Sequence, residues 1–476
     1  MMFDRFKLVP PLFLPPLEPE FRPAVLANRA FQKEVEAFGV PAVPSTELVI
    51  GLERDRQQLS RFETRVFPEE APQAAANFRY VERLVKFLLW QRGGYKLYIG
   101  GSRSIGEFIR DYYAPQGKGA FDYHFMGEQV YQQTFTVVPC DPSEVPPAFE
   151  IGQPLGRHLD GCRIGFDLGA SDRKVSAVVD GQVVFSEEVI WEPRKQTDPE
   201  YHYREIISAL KTAASKMPRV DAIGGSSAGI YIDNHPMVAS LFRGIPKERY
   251  HEIHNLFLRI RDELGVPLEV INDGDVTALA GSMSLEDTGI LGIAMGSSQA
   301  AGYVDMHGHI LGWLSELAFA PIDYSPQAPV DEWSGDAGVG SQYFSQQCVF
   351  RLAPRAGIQI PAGLTDADKL KFVQEKLEAG HAGATQIWQS MGVYLGYGLA
   401  HYADFYEIKH VLLLGRCTSG RGGSLILDGA NAVLQAEFPE LAARIHIQLP
   451  DEKSRRVGQS IAAASLPMIQ SYQELV

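Results

Sequence analysis

Twice in this chain a short apolar, β-prone stretch runs into a turn of small residues and is followed by further strand patterns. The first copy is Arg163-Ile164-Gly165-Phe166-Asp167-Leu168-Gly169-Ala170-Ser171. Apolar residues carry a buried strand up to Asp167. Gly169-Ala170-Ser171 then turns tightly and leaves backbone N–H groups bare enough for an anion to approach. A carboxylate two residues before such a turn suits a hydrated divalent cation beside that anion. Taken alone, the run reads as an ordinary hairpin in which Asp167 caps a turn. It is followed by a strand over 174–179, a hairpin at Asp180-Gly181, a strand over 182–191, a helix over 200–216 and a strand over 220–224. The second copy is an apolar strand over 289–294 ending in Gly296-Ser297-Ser298, with strands expected over 299–305 and 309–313. Two such turns facing each other would clamp a phosphate from both sides.

Between the copies, a helix is expected over 246–264. A strand over 268–271 then delivers Asn272-Asp273 at its carboxyl end, and the next helix begins at Val276. Carboxyl ends of strands face the ligand crevice in open α/β sheets, which places Asp273 for chemistry. Its other reading, shared with Asp275, is a helix cap. Beyond the second copy, 318–364 is irregular and rich in proline and glycine, as a long substrate-side loop would be. Helices follow over 365–379 and 384–406, then a strand over 410–414 that ends in Gly415-Arg416, and a last helix over 454–464. At the other end, residues 1–60 are proline-rich and read as an extended arm with a helix over 30–38. Helix 71–90, strand 95–99, a helix capped by Ser102 and strand 129–138 follow.

Two tempting motifs fail on context. Gly101-Ser102-Arg103-Ser104-Ile105-Gly106 lacks the Lys-Ser/Thr of a phosphate-binding P-loop. Gly225-Ser226-Ser227-Ala228-Gly229 has the spacing of a hydrolase nucleophile elbow, but Ile230-Tyr231-Ile232 and the turn residues Asp233-Asn234 follow where a helix is required.

The ordered set resembles the ROK family of repressors and sugar kinases, within the acetate and sugar kinase, heat-shock protein and actin superfamily. Asp167-Leu168-Gly169-Ala170-Ser171 is similar to its first phosphate motif, Asn272-Asp273-Gly274-Asp275 to its catalytic segment, Gly296-Ser297-Ser298 to its second phosphate motif, and Leu413-Leu414-Gly415 to its adenosine motif. The resemblance spans about two-thirds of the chain, from Gly161 onward. It implies an α/β, two-lobed, duplicated ribonuclease H-like fold of the actin/hexokinase type with an N-terminal α+β extension. The implied domains are an extension over 1–158, a first lobe over 159–285 with the helix of 454–476 packed back on it, and a second lobe over 286–453 carrying the loop 318–364. The implied activity is ATP-dependent phosphoryl transfer to a hydroxyl of a sugar or sugar-like polyol, which asks chiefly for positioning and charge compensation. In that picture Asp273 is the general base. Asp167 holds Mg²⁺ through water, and Gly169, Ala170, Ser171, Gly296, Ser297 and Ser298 hold phosphates. Gly415 and Arg416 lie along the nucleoside, while Asn272, Glu316 and Gly229 face the sugar.

The chain departs from that family at three places. Its Gly-Glu-Ile-Gly-His run stands here as Ser315-Glu316-Leu317-Ala318-Phe319, without the histidine that binds zinc and sugar. Its cysteine loop falls on 332–341, where all three cysteine positions have changed and a sugar-binding glutamate has become Ser341. The second phosphate motif has fewer glycines. No zinc is therefore expected, and a catalytically silent sugar- or nucleotide-sensing protein on the same fold is the alternative.

Length and composition suit this picture. At 476 residues, 45% hydrophobic and 21% charged, the chain has room for two or three domains. A formal charge of −14 and the lack of a Lys/Arg-rich arm argue against nucleic acid as a partner. No apolar run reaches a membrane-spanning length. Four scattered cysteines suggest neither metal site nor disulfide framework, so a cytoplasmic protein, expected as a homodimer, is the reading.

Overall fold

The computed structural model describes residues 5–38, 45–152, 155–450 and 452–469. The chain divides into a larger unit of Met1–Ile151, Ile293–Ala301 and Gly312–Leu449, and a smaller unit of Gly152–Gly292, Gly302–Leu311 and Pro450–Val476.

The N-terminal part of the larger unit runs α1 (Ala24–Phe38), β1 (Thr46–Glu53), β2 (Leu59–Val66), α2 (Ala75–Arg92), β3 (Lys96–Gly100), α3 (Arg103–Tyr112), α4 (Ala120–His124) and β4 (Thr136–Cys140). Its sheet has the order β2-β1-β3-β4, with β3–β4 parallel and the other pairs antiparallel. The arm expected over 1–60 is thus in part sheet. Leu48, Val49, Ile50 and Leu52 are all fully buried, so β1 is a central strand covered on both faces. The strand expected over 129–138 starts only at Thr136, because Phe125–Tyr131 winds as a π-helix that seats Phe125, Met126 and Val130 in the core.

The smaller unit begins with the meander β5 (Cys162–Leu168), β6 (Asp172–Val179) and β7 (Gln182–Ile190). Then come α5 (Pro199–Ala214), β8 (Ala222–Ser227), the hairpin β9 (Ile230–Ile232) and β10 (His235–Val238), α6 (Tyr250–His254), α7 (Leu256–Leu264), β11 (Leu268–Asn272) and α8 (Asp273–Leu285). The sheet order is β11-β8-β5-β6-β7, with β5, β8 and β11 parallel and β6 and β7 antiparallel. A three-strand meander continued by two crossover strands on the side of its first strand is the ribonuclease H-like arrangement. The helix expected over 246–264 breaks into a 3₁₀ turn, α6 and α7. At the break Asn255 leaves helical geometry (φ −96°, ψ 6°) and its side-chain amide donates to the His251 carbonyl.

A further four-stranded sheet, in the order β13-β12-β14-β15, is built from β12 (Ile290–Met295), β13 (Gln299–Val304), β14 (His410–Leu414) and β15 (His446–Gln448). The strand expected over 309–313 does not form. Gly308 and Gly312 both take positive φ (80° and 65°), and Ile310 makes only an isolated bridge. Between β13 and β15 lie α9 (Gln346–Leu352), α10 (Asp366–Glu378), α11 (Ala382–Tyr402), α12 (Arg421–Glu437) and α13 (Pro439–Ala442). Helix α11 is buried along almost its whole length.

The chain closes with α14 (Glu452–Ala464), which packs on β5 and β8 in the smaller unit. A Cβ on Gly165 would overlap the Ser460 carbonyl and one on Gly224 the Ala463 carbonyl, so only glycine lets helix and sheet approach this closely. The expectation for 454–476 extends past the described residues at 470–476. Among the described residues no helix is long and apolar enough to cross a membrane.

Candidate functional site

In the smaller unit the parallel register aligns the carboxyl ends of three strands. Asp167 sits opposite Ser226, Leu168 opposite Ser227, and Ser227 opposite Asn272. Asp167, the serine pair and Asn272-Asp273 therefore share one edge of one sheet, where ligands of open α/β sheets bind. The Asp167 carboxylate accepts from Ser226 Oγ at 2.8 Å and lies 3.8 Å from Lys174 Nζ. Burial raises its pKa, and Ser226 and Lys174 oppose that rise. After β5 the turn closes through Gly169 N–H to the Asp172 carbonyl (2.9 Å), and Trp191 Nε1 donates to the Gly169 carbonyl (2.8 Å). Ala170 and Ser171 are exposed.

At the head of α8 the two acidic residues and their neighbour divide the work. Asn272 is the cap: its Oδ1 accepts from Gly274 N–H at 2.7 Å, and its Nδ2 donates to the Gly229 carbonyl at 2.7 Å. Asn272 and Gly229 are thus brought together, with both ends of the amide engaged. Gly229 needs its φ of +129° and has no room for a side chain, since a Cβ would press on Val238 and Ala239. Asp275 is buried and accepts from Tyr303 N–H at 3.2 Å. Asp273 shares the Gly274 N–H with Asn272. Its carboxylate touches only Gly274 N–H among the described hydrogen bonds (3.0 Å), and the residue is half-buried. Burial first, and then the Asp167 charge, push its pKa from 3.8 to about 6. Gly302 makes this corner possible, because a Cβ there would overlap the Gly274 backbone.

In the larger unit Gly296 forms the second small-residue turn, its N–H donating to the Ser298 carbonyl (3.0 Å) and its carbonyl accepting from Gln346 N–H (2.9 Å). Ser297 and Ser298 are exposed and line a cavity of about 610 Å³ whose other walls include Glu332, Trp333, Gln347 and Phe350. Glu316 lies outside that lining; its backbone N–H is pinned to the Trp90 carbonyl at 2.9 Å. Phe319, where the resemblance has a histidine, packs against Trp90 (4.5 Å) and Trp333 (5.0 Å) and lines the cavity. Ser341 donates to Asp331 at 2.9 Å. Phe319 offers no donor to a metal, and among the described residues no three His, Cys, Asp or Glu side chains are grouped to hold a metal ion. After β14, Gly415 takes φ +95° and its α-carbon faces the Met295 backbone with no room for a Cβ. Arg416 is exposed while its carbonyl accepts from Gln374 Nε2 (2.7 Å), and α12 starts five residues on.

Ser226, Lys174 and Tyr231 were not anticipated. Tyr231 donates to Ser227 Oγ (2.6 Å) and feels the Asp273 charge. The hairpin that carries it was legible in Asp233-Asn234, both of which adopt positive φ.

No protein-family model matches this sequence, and no curated protein matches it. Solved structures do. The ROK hexokinase from Thermus thermophilus aligns at 16% identity over 63% of this chain and 98% of its own, with a TM-score of 0.50. A ROK family transcriptional regulator, described as a homolog of the E. coli MLC protein, aligns at 17% identity over 65% of this chain and 79% of its own, also at 0.50. A ROK family glucokinase from Streptomyces griseus, solved in complex with glucose and AMPPNP, aligns at 20% identity over 64% and 99%, at 0.45. The chain is α/β and shares the actin/hexokinase-type, ribonuclease H-like fold of ROK sugar kinases and regulators, with about a third of its length outside that likeness.

Proposed function

We propose that this protein is an ATP- and Mg²⁺-dependent phosphotransferase acting on a hydroxyl of a sugar or sugar-like substrate. A fold shared by a hexokinase and a regulator does not choose between their activities, so the site must. One observation carries the reading. Asp273 stands at the carboxyl end of β11, sharing the Gly274 N–H with the cap residue Asn272, and its pKa is lifted to about 6, as suits a general base working near neutrality. Asp167 would hold magnesium through water, since Mg²⁺ takes few carboxylates and keeps several waters. The turns at Gly169–Ser171 and Gly296–Ser298 would hold phosphates on backbone N–H groups, and Gly415 and Arg416 would lie beside the nucleoside. Asn272 and Gly229 fix the corner that presents Asp273, and Glu316 would bond a sugar hydroxyl. A homodimer in the cytoplasm completes the proposal.

The test is a panel of sugars and polyols with ATP-Mg and a coupled assay, run on wild type and Asp273→Asn. Turnover of at least one sugar is expected, with a loss of about 10²–10⁴-fold in the variant and kcat/KM rising with pH through about 6 as the base ionises. No turnover of any substrate, or full activity in the variant, overturns the proposal. The second reading, a silent sensor, is favoured by Phe319 and Ser341 standing where sugar-binding groups are expected. Calorimetry separates the two, because a sensor binds sugar without ATP and forms no product.

A further inference from the structure

The cavity loop of the larger unit is held together from within by Asp331. Its carboxylate accepts from Ser334 N–H (2.8 Å), Ser334 Oγ (2.9 Å) and Ser341 Oγ (2.9 Å), and its backbone N–H donates to the Asp336 carbonyl (2.8 Å). Wherever Asp336 goes, the cavity-lining pair Glu332-Trp333 therefore follows. Asp336 itself is fixed by α2. Arg83 Nη1 lies 3.1 Å and Lys86 Nζ 3.5 Å from its Oδ2. Those cations are nearly fully buried and have carboxylates of their own: Glu82 beside Arg83, and Asp122 of α4 at 2.8 Å from Lys86, with Trp90 Nε1 adding a 3.0 Å bond to Asp122. Burial alone would raise the Asp336 pKa, yet Arg83 and Lys86 bring it down to about 2. Trp333 is gripped from α4, from the π-helix that follows it and from the turn at Leu317–Phe319. Phe121, Phe125 and Phe319 meet its ring edge-on at 5.3, 5.6 and 5.0 Å, leaving it 57% exposed.

We infer that Arg83 and Lys86 of α2 are positioning residues for the cavity, bracing the loop of residues 331–341 through Asp336 where the family resemblance would place a bound zinc. The N-terminal segment is then part of the ligand-binding apparatus of the larger unit and not an accessory. Removing one partner of a buried charge network leaves the others uncompensated, so the effect of a single substitution should be large and local.

The experiment is hydrogen exchange on the full-length protein, which needs no substrate and so is independent of the phosphotransfer reading. Asp336→Asn and Lys86→Met should each speed exchange of the 331–337 amides at least about tenfold while the β14 amides of 411–414 stay as protected as in wild type. A zinc chelator should leave the wild-type loop unchanged. Arg83→Lys, which keeps the charge but loses the fork, should give an intermediate increase and serves if either other variant unfolds. Where a sugar is turned over, these variants should raise KM more than they lower kcat. Unchanged loop exchange in the folded variants, loosening of the wild-type loop by chelator, or a fall in kcat alone would overturn the inference.

Discussion

Replacing Asp275 by asparagine should make the smaller unit more stable, and increasingly so as the pH rises. The Asp275 carboxyl is 9% exposed and has one described hydrogen-bond donor, the Tyr303 N–H at 3.2 Å. Burial, with a smaller push from the Asp273 charge and opposed by that N–H, lifts its pKa from 3.8 to about 7. The folded chain thus keeps a proton that the unfolded chain loses, so the stability this proton contributes is whole below about pH 4 and is lost as pH climbs through about 7. At about 1.4 kcal/mol per pK unit the full displacement is worth at most about 4 kcal/mol. An asparagine keeps the volume and the acceptor for Tyr303 and carries no charge. Urea unfolding at pH 4, 6 and 8 should show the variant equal to wild type at pH 4 and gaining steadily to pH 8, with an unchanged m-value. A gain that does not vary with pH, or a loss at pH 8, would refute the reasoning.

Other perturbations follow from the same geometry. Gly302→Ala should cost about 1–3 kcal/mol by overpacking and displace the head of α8, so that urea unfolding and any Asp273-dependent activity suffer together; an unaltered unfolding midpoint would contradict the overlap with Gly274. Asn234→Ala removes the amide that donates to the Leu268 carbonyl (3.1 Å) and accepts from Val270 N–H (2.6 Å), at a position with φ +65°. A loss of about 2–4 kcal/mol is expected in urea unfolding from two buried backbone groups left unpaired. Phe319→His should leave the purified protein without zinc in elemental analysis, and its thermal midpoint should fall as the contacts to Trp90 and Trp333 go. Stoichiometric zinc would show that the loop retains ligands.

The smaller unit was the more legible half, because its signals are local. Gly169-Ala170-Ser171, Asp180-Gly181 and Asp233-Asn234 each force a turn by backbone chemistry alone, and the strands between them follow. At 309–313 a β-prone run is defeated by two glycines in left-handed geometry. Less legible were Leu48–Leu52, whose burial on both faces depends on partners that no periodicity reveals, and α12, which opens on the poor helix formers Gly422 and Gly423. Among the candidate site residues, Asp167 and Asp273 were nameable from motif order, and the hydrogen bonding at 272–275 was not. Both Asn272 and Asp273 reach the Gly274 N–H, at 2.7 and 3.0 Å, and Asn272 is the cap because its backbone stays outside the helix (ψ 142°), a question of backbone angles and not of residue type. The buried network on α2 was invisible for a related reason: the carboxylates that pair with Arg83 and Lys86 lie over 250 positions away or across α4.

The close seating of α14 on Gly165 and Gly224 also has a bearing on biosynthesis. A ribosome delivers β5 about three hundred residues before the segment that covers its second face, so for most of translation one side of this sheet is greasy, uncovered and open to chaperones or to a neighbouring nascent chain. Polypeptides arrested ahead of residue 452 should be cut readily by protease within 162–285, and release of the remaining segment should abolish that sensitivity.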